Sequence, residues 1–151
     1  MGIFDFIKGA GRKEKDEDVT QEQVDEAIKS NKLKRYVDGL GFGVDQLKVK
    51  YDDGVATVWG KAATQADREK VVLALGNTQG VAQVDDQMEV VEAAEVAQFY
   101  TVEKGDSLSK IAKEFYGDYK QYPKIFEANR PMLEHPDKIY PGQVLRIPPL
   151  G

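Results

Sequence analysis

Two pairs of adjacent carboxylates, Asp52-Asp53 and Asp85-Asp86, are the side chains best suited to grip a divalent cation, but their spacing is wrong for it. A Ca²⁺ loop sets its oxygens on alternate residues and closes with a glutamate, whereas Asp52-Asp53 falls in a tight turn with Gly54. Solvated charge is the expectation for both pairs. His135 is the single histidine and there are no cysteines, so one chain cannot build a multi-histidine or thiolate metal centre. His135 precedes Pro136 in a loop and is expected at the surface. Ser107 and Ser109 lie remote from that one imidazole, which leaves nucleophilic catalysis without a visible base. Ser107 reads as a helix cap, and the chain is not expected to be an enzyme. Trp59, Tyr100, Tyr116, Tyr119, Tyr122 and Tyr140 could stack on sugar rings. Aromatics at helical or strand spacing pack in cores instead, as Tyr116 beside Phe115 would at a helix end.

Composition narrows the field further. A chain of 151 residues fits one medium domain or two small ones, and 41% hydrophobic with 31% charged residues allows a real core. The formal charge of −5 argues against a nucleic-acid partner, which needs a basic face. Absence of cysteine is consistent with a reducing compartment. At the N-terminus Ile3, Phe4, Phe6 and Ile7 are apolar, but Asp5 and Lys8 interrupt them, so no secretory signal is expected. Phe6 breaks the Gly2 myristoylation pattern. The opening segment buries too little area for stable membrane anchoring. A cytoplasmic monomer is the expectation.

These residues must be positioned by the elements around them. Residues 12–19 are a mixed charge run suited to a solvated connector. Thr20 and Gln23 form a capping box for a helix with Val24, Ala27 and Ile28 inward. The apolar phase slips near Ser30-Asn31 and resumes at Leu33, Tyr36, Val37 and Leu40, which predicts either two short helices or one disturbed helix, ended by Gly39, Gly41 and Gly43. Leu47, Val49 and Tyr51 alternate as a strand, Asp53-Gly54 turns, and residues 55–59 return as its hairpin partner. Thr64 and Asp67 mark an N-cap; Val71, Ala74 and Leu75 follow inward, with Gly76 as the C-terminal glycine. Val81, Val84, Met88 and Val90 supply a third strand. Residues 20–91 thus predict a three-stranded sheet with helices on one face, and the preceding segment 1–19 is expected to dock on it through the apolar cluster Ile3, Phe4, Phe6 and Ile7.

Residues 92–98 are small and polar, as a linker would be. Residues 99–149 predict a second unit of βααβ order: an aromatic strand at 99–102, a helix capped at Asp106 or Ser107 and stopped by Gly117, a helix opened by Pro123 with Ile125 and Phe126 inward, and a closing strand at 144–147 after the Pro141-Gly142 turn. The fold class is α+β in two small domains.

The run FYTVEKGDSLSKIAKEFYGDYKQYPKIFEANRP…DKIYPGQVLRIP resembles a LysM domain, and DGVATVWGKAATQADREKVVLALGNTQGVAQVDDQMEV is similar to a BON domain. A BON domain directly before a LysM domain, with the opening MGIFDFIKGAG, resembles the family of small bacterial potassium-binding proteins. That resemblance implies selective K⁺ binding coupled to a change in how the domains pack. K⁺ is large, monovalent and weakly polarising, and it favours several neutral carbonyl oxygens, which leave no side-chain motif. Helix C-termini supply unpaired carbonyls with partial negative charge. Two glycine-stopped candidates exist, residues 3–11 and residues 75–81. The expected ligands are the carbonyls of Ile7, Ala10 and Arg12 from the first and of Gly76, Thr78 and Val81 from the second; Gly76, Asn77, Gly80 and Val81 match the family's glycine-bounded loop. Gly11 and Gly76 as plain helix caps is the competing reading. The LysM resemblance implies a different function, binding of N-acetylglucosamine polymers through Gly105, Asp106, Ser107, Leu108 and the loop ending at Ile139. The missing export signal counts against it.

Overall fold

A computed structural model describes residues 2–6, 22–94 and 96–150. The first domain is a mixed sheet in the order β1-β4-β3-β2, with β5 also on β3. Its strands are β1 (Gly2–Asp5), β2 (Val44–Asp52), β3 (Val55–Thr64), β4 (Gln83–Asp86) and β5 (Glu89–Glu92); helices α1 (Glu22–Leu40) and α2 (Gln65–Gly76) pack against it. The hairpin β2–β3 is antiparallel, and β3 pairs with β4 in parallel through the α2 crossover. Apolar residues of both helices and of the central strands meet in one core that includes Leu33, Val37, Val58, Val71, Leu75 and Val84.

Several local expectations change. The sheet has five strands rather than three. The third predicted strand is broken at Gln87-Met88: Val55 to Val58 pair with β4, and β5 resumes the pairing opposite Lys61. The break is held by Asp86, whose Oδ1 accepts from the Met88 N–H at 2.9 Å and whose Oδ2 takes the Arg68 Nε–H at 2.6 Å. Asp86 is only 2% exposed, so it is a buried ion-pair partner and not the solvated charge expected of it. Asp52 and Asp53 are exposed, as their turn predicts.

Residues 2–5 of the opening segment form a strand, and the glycine stop expected at residues 9–11 lies outside the described residues. β1 lies antiparallel on β4, with Phe4 opposite Val84. Phe4 and Phe6 pack on the core, but Ile3 is 65% exposed and leaves the predicted apolar cluster. The two-residue alternation of a strand explains the split, because Ile3 and Phe4 point to opposite faces. Along α1 the phase slip does not break the helix, which runs uninterrupted through Ser30-Asn31. Ser30 is there to bond: its hydroxyl donates to the Glu26 carbonyl at 2.8 Å and accepts from the Tyr51 N–H of edge strand β2 at 2.7 Å.

The second domain follows its predicted order, with β6 (Gln98–Thr101), α3 (Leu108–Tyr116), a short 3₁₀ turn (Tyr119–Gln121), α4 (Tyr122–Ala128) and β7 (Val144–Ile147). β6 and β7 are antiparallel, and Val102, Leu108, Ile111, Ile125, Leu133 and Leu145 form its core. Ser107 caps α3 by accepting from the Lys110 N–H, and Gly117 closes it in the left-handed region at φ 74°.

Candidate functional site

The loop at residues 76–81 leaves the C-terminus of α2, where backbone carbonyls carry the negative end of the helix dipole. Gly76 is the last helical residue, and Asn77 follows it as C-cap at φ −83°, ψ 19°. Gly76 is therefore not the left-handed stop the sequence suggests. It is needed for space: a Cβ there would sit 2.0 Å from the Phe6 ring. Phe6 also donates its N–H to the Ala82 carbonyl at 2.7 Å, so the end of the described opening segment is fastened to the loop at both of its sides. Gly80 does need backbone freedom, at φ +94°.

Each residue from 77 to 80 is tied to a different element. The Asn77 carboxamide reaches Val144 of β7, donating from Nδ2 to its carbonyl and accepting at Oδ1 from its N–H, both at 2.8 Å. Thr78 Oγ1 donates to the Ala74 carbonyl of α2 at 2.9 Å, and its own carbonyl accepts from the Val81 N–H at 3.1 Å. The Gln79 carbonyl accepts from Lys29 Nζ of α1, and the Gly80 carbonyl from the Tyr51 hydroxyl of β2, each at 2.8 Å. Gly76, Thr78 and Val81 are buried, while Asn77, Gln79 and Gly80 are half-buried. The three expected ligands on this loop are thus its three buried residues. Ile7, Ala10 and Arg12 lie outside the described residues.

Chemically, the segment offers neutral backbone oxygens held from several sides. Among the described residues no cluster of three or more histidines, cysteines or carboxylates could hold a metal. Such a donor set suits a large monovalent cation, whose hydration shell carbonyls can replace, better than Ca²⁺ or Mg²⁺, which call for carboxylates.

Between α2 and β7 lies a charged cluster that sequence reasoning missed. Glu69 of α2 and Arg146 of β7 are 4% and 7% exposed and pair through Oε1 to Nη2 at 2.9 Å and to Nε at 3.1 Å. Glu69 Oε2 also accepts the Ala97 N–H of the linker at 2.9 Å, and Arg146 Nη1 donates to the Ala128 carbonyl at 3.1 Å. Both charges are therefore hydrogen-bonded as well as paired, which a buried ion requires. Neighbouring Lys70 is held below the usual lysine range, by burial first and by Arg146 second. The available signal was one arginine inside the apolar run VLRI. Phe4 and Phe99 add a ring contact between the domains at 5.4 Å.

The alternative glycan residues are engaged in folding their own loop. Asp106 Oδ2 accepts from the Glu103 N–H at 2.8 Å and from the Tyr100 hydroxyl at 2.5 Å. Ser107 is the α3 cap, Leu108 is buried, and Ile139 packs on the same core as Leu108; Gly105 turns the chain at φ +88°. His135 is exposed. Tyr100 and Tyr116 are packed as core residues, while Tyr119 and Tyr122 are exposed.

Comparison with known proteins agrees with both domains. Residues 16–92 match the BON domain and residues 100–148 the LysM domain. The chain is 47% identical over 149 residues to the Potassium binding protein Kbp of Escherichia coli O6:H1, covering 98% of this chain and 99% of that protein. An uncharacterized protein of Deinococcus radiodurans is 57% identical over 49 residues, 32% of this chain and 19% of its own length. The uncharacterized protein YqbP of Bacillus subtilis is 40% identical over 58 residues, 32% of this chain and 26% of its own. Among the described residues no helix is long and apolar enough to cross a membrane. With a BON domain, a LysM domain and near-complete coverage in both directions, the chain belongs to the BON–LysM family that includes the Potassium binding protein Kbp.

Proposed function

We propose that this protein binds K⁺ in preference to Na⁺ as a cytoplasmic monomer, through backbone carbonyls, and that binding is coupled to the packing of BON against LysM. The observation that carries the reading is the end-to-end likeness to a protein named for potassium binding. The loop at 76–81 supports it, with buried backbone at the negative end of α2 and carbonyls in place of a carboxylate cluster. The ligands proposed are the carbonyls of Gly76, Thr78 and Val81, completed by those of Ile7, Ala10 and Arg12. Phe6 delivers the chain to that loop one residue before Ile7. Coupling follows from the side chains of α2 and its loop that reach β7, since Asn77 and Glu69 both bond LysM residues.

Calorimetry with KCl and NaCl at matched ionic strength tests the reading. Heat of binding with KCl and none with NaCl is expected; equal responses, or none with either salt, would overturn it. Neutralising Asp52→Asn or Asp85→Asn is expected to leave K⁺ affinity within tenfold, or about 1.4 kcal/mol. A larger loss would assign the ion to carboxylates.

A further inference from the structure

Among the described strands only β6 pairs with β7, so the other edge of β7 has no partner strand. Along that edge two asparagines do the same job two residues apart. Asn129 at the end of α4 accepts the Arg146 N–H at 2.8 Å and donates to the Arg146 carbonyl at 3.0 Å. Asn77 accepts the Val144 N–H and donates to the Val144 carbonyl, both at 2.8 Å. A carboxamide carries one acceptor and one donor side by side, so it can stand in for a neighbouring strand at a single residue. One of these strand substitutes belongs to LysM itself. The other is contributed by the BON domain, from the residue immediately after Gly76.

We propose that Asn77 is a positioning residue for the ion loop, making the conformation of residues 76–81 depend on the edge of β7. The inference rests on the K⁺ reading above and adds a mechanism to it. Because the contact is bidentate, Asn77 cannot turn about its χ angles and keep both bonds. Its backbone, which is the link between the carbonyls of Gly76 and Thr78, is held in register with Val144. Lys29, Tyr51 and Ala74 tether the loop within the BON domain, whereas Asn77 tethers it to LysM. Coupling of this kind is reciprocal: whatever the LysM edge contributes to ion affinity, the ion returns to the domain contact.

The test is a KCl titration of the full-length chain followed by the amide resonances of Gly80 and Val144, repeated with NaCl. In the wild type both resonances should shift with one KCl midpoint. In Asn77→Ala the midpoint is expected to rise at least tenfold, and the Val144 resonance should cease to follow Gly80. Asn77→Gln keeps the carboxamide on a longer stem and should recover part of the affinity together with the Val144 response, which a merely structural defect would not do. It also serves if Asn77→Ala does not fold: a raised midpoint at which Val144 and Gly80 still move together supports the proposal, and a wild-type midpoint, or a Val144 that no longer follows Gly80, overturns it. An Asn77→Ala protein with the wild-type midpoint, or a wild-type Val144 that stays silent while Gly80 titrates, overturns the role of Asn77 and leaves K⁺ binding standing. Silence of both resonances in the wild type overturns the K⁺ reading itself and this inference with it.

Discussion

The loops at 76–81 and 103–108 look alike in sequence: GNTQGV and EKGDSL both combine glycine with small polar residues around a helix end. They are stabilised in opposite ways. In the LysM loop the polar side chains bond their own neighbourhood, Asp106 to the Glu103 N–H and Ser107 to the Lys110 N–H, three residues away in each case. In the BON loop the side chains that grip the backbone arrive from 29 and 50 residues away, and the loop's own Asn77 reaches 67 residues ahead. A loop that caps itself is insulated from the rest of the molecule. A loop gripped by α1, β2 and β7 registers any movement among them, which is what an ion site coupled to domain packing requires.

Breaking the frame that holds the remote anchors should have the largest effect. Glu69→Ala strands Arg146 as an uncompensated buried charge, a change that costs about 3–5 kcal/mol. Denaturant unfolding of the full chain should show that loss, with K⁺ binding weakened in parallel. An unchanged midpoint would mean that the domains do not stay packed through this pair in solution. Next comes a matched pair of glycine substitutions. Gly76→Ala drives a methyl into the Phe6 ring, and overpacking of this kind costs about 1–3 kcal/mol and should lower K⁺ affinity. Gly105→Ala meets nothing within 4 Å and is limited by its φ of +88°, a backbone cost of about 1 kcal/mol, with K⁺ affinity unaltered. Equal K⁺ titrations for the two variants would erase the distinction between the loops.

The same contrast explains what could be read in advance. Ser107, Gly117, Thr64 and the Asp53-Gly54 turn act within a few residues of themselves, so their type and spacing disclosed their roles and with them the βααβ order and the first hairpin. The loop at 76–81 was legible as a loop because of its glycines, and as a candidate ion site only through family resemblance. Why Gly76 is a glycine was not legible, since the cause is a ring 70 positions earlier in the chain. Asp86 and Asp85 are neighbours of one residue type, yet only Asp86 is buried against Arg68; a strand puts adjacent residues on opposite faces, and the burial of each face depends on what covers it. Glu69 and Arg146 were invisible for a related reason. Each is an ordinary charge in its own element and becomes a buried pair only when two domains meet.

A smaller effect sharpens the insulated side of the comparison. Ser107→Ala removes the α3 cap and should cost about 1 kcal/mol of LysM stability. Thermal unfolding reads this directly, and the K⁺ titration should stay where it was. A shifted K⁺ midpoint would show that the LysM loop is not self-contained after all.

The last effect is constant around neutral pH and changes only in alkali. Tyr100 donates its hydroxyl to Asp106, and this hydrogen bond, followed by burial and by the carboxylate's charge, holds its pKa well above the ordinary value near 10. The folded state therefore keeps the phenol protonated after the unfolded chain has begun to lose that proton. Since the folded pKa is the raised one, the stabilisation is fully present below pH 10 and is lost as the pH climbs from there through the folded value. LysM should accordingly lose stability faster with rising pH in the wild type than in Tyr100→Phe, which lacks the ionisable group and also lacks the bond. At pH 7, where the bond is intact, the wild type should be the more stable of the two. Denaturant midpoints of both proteins across pH 7 to 11 make the comparison, with the BON resonances as an internal reference. Parallel curves for the two proteins would mean that the Tyr100–Asp106 bond is not formed in solution, and that the loop at 103–108 is held by the backbone caps of Asp106 and Ser107 alone.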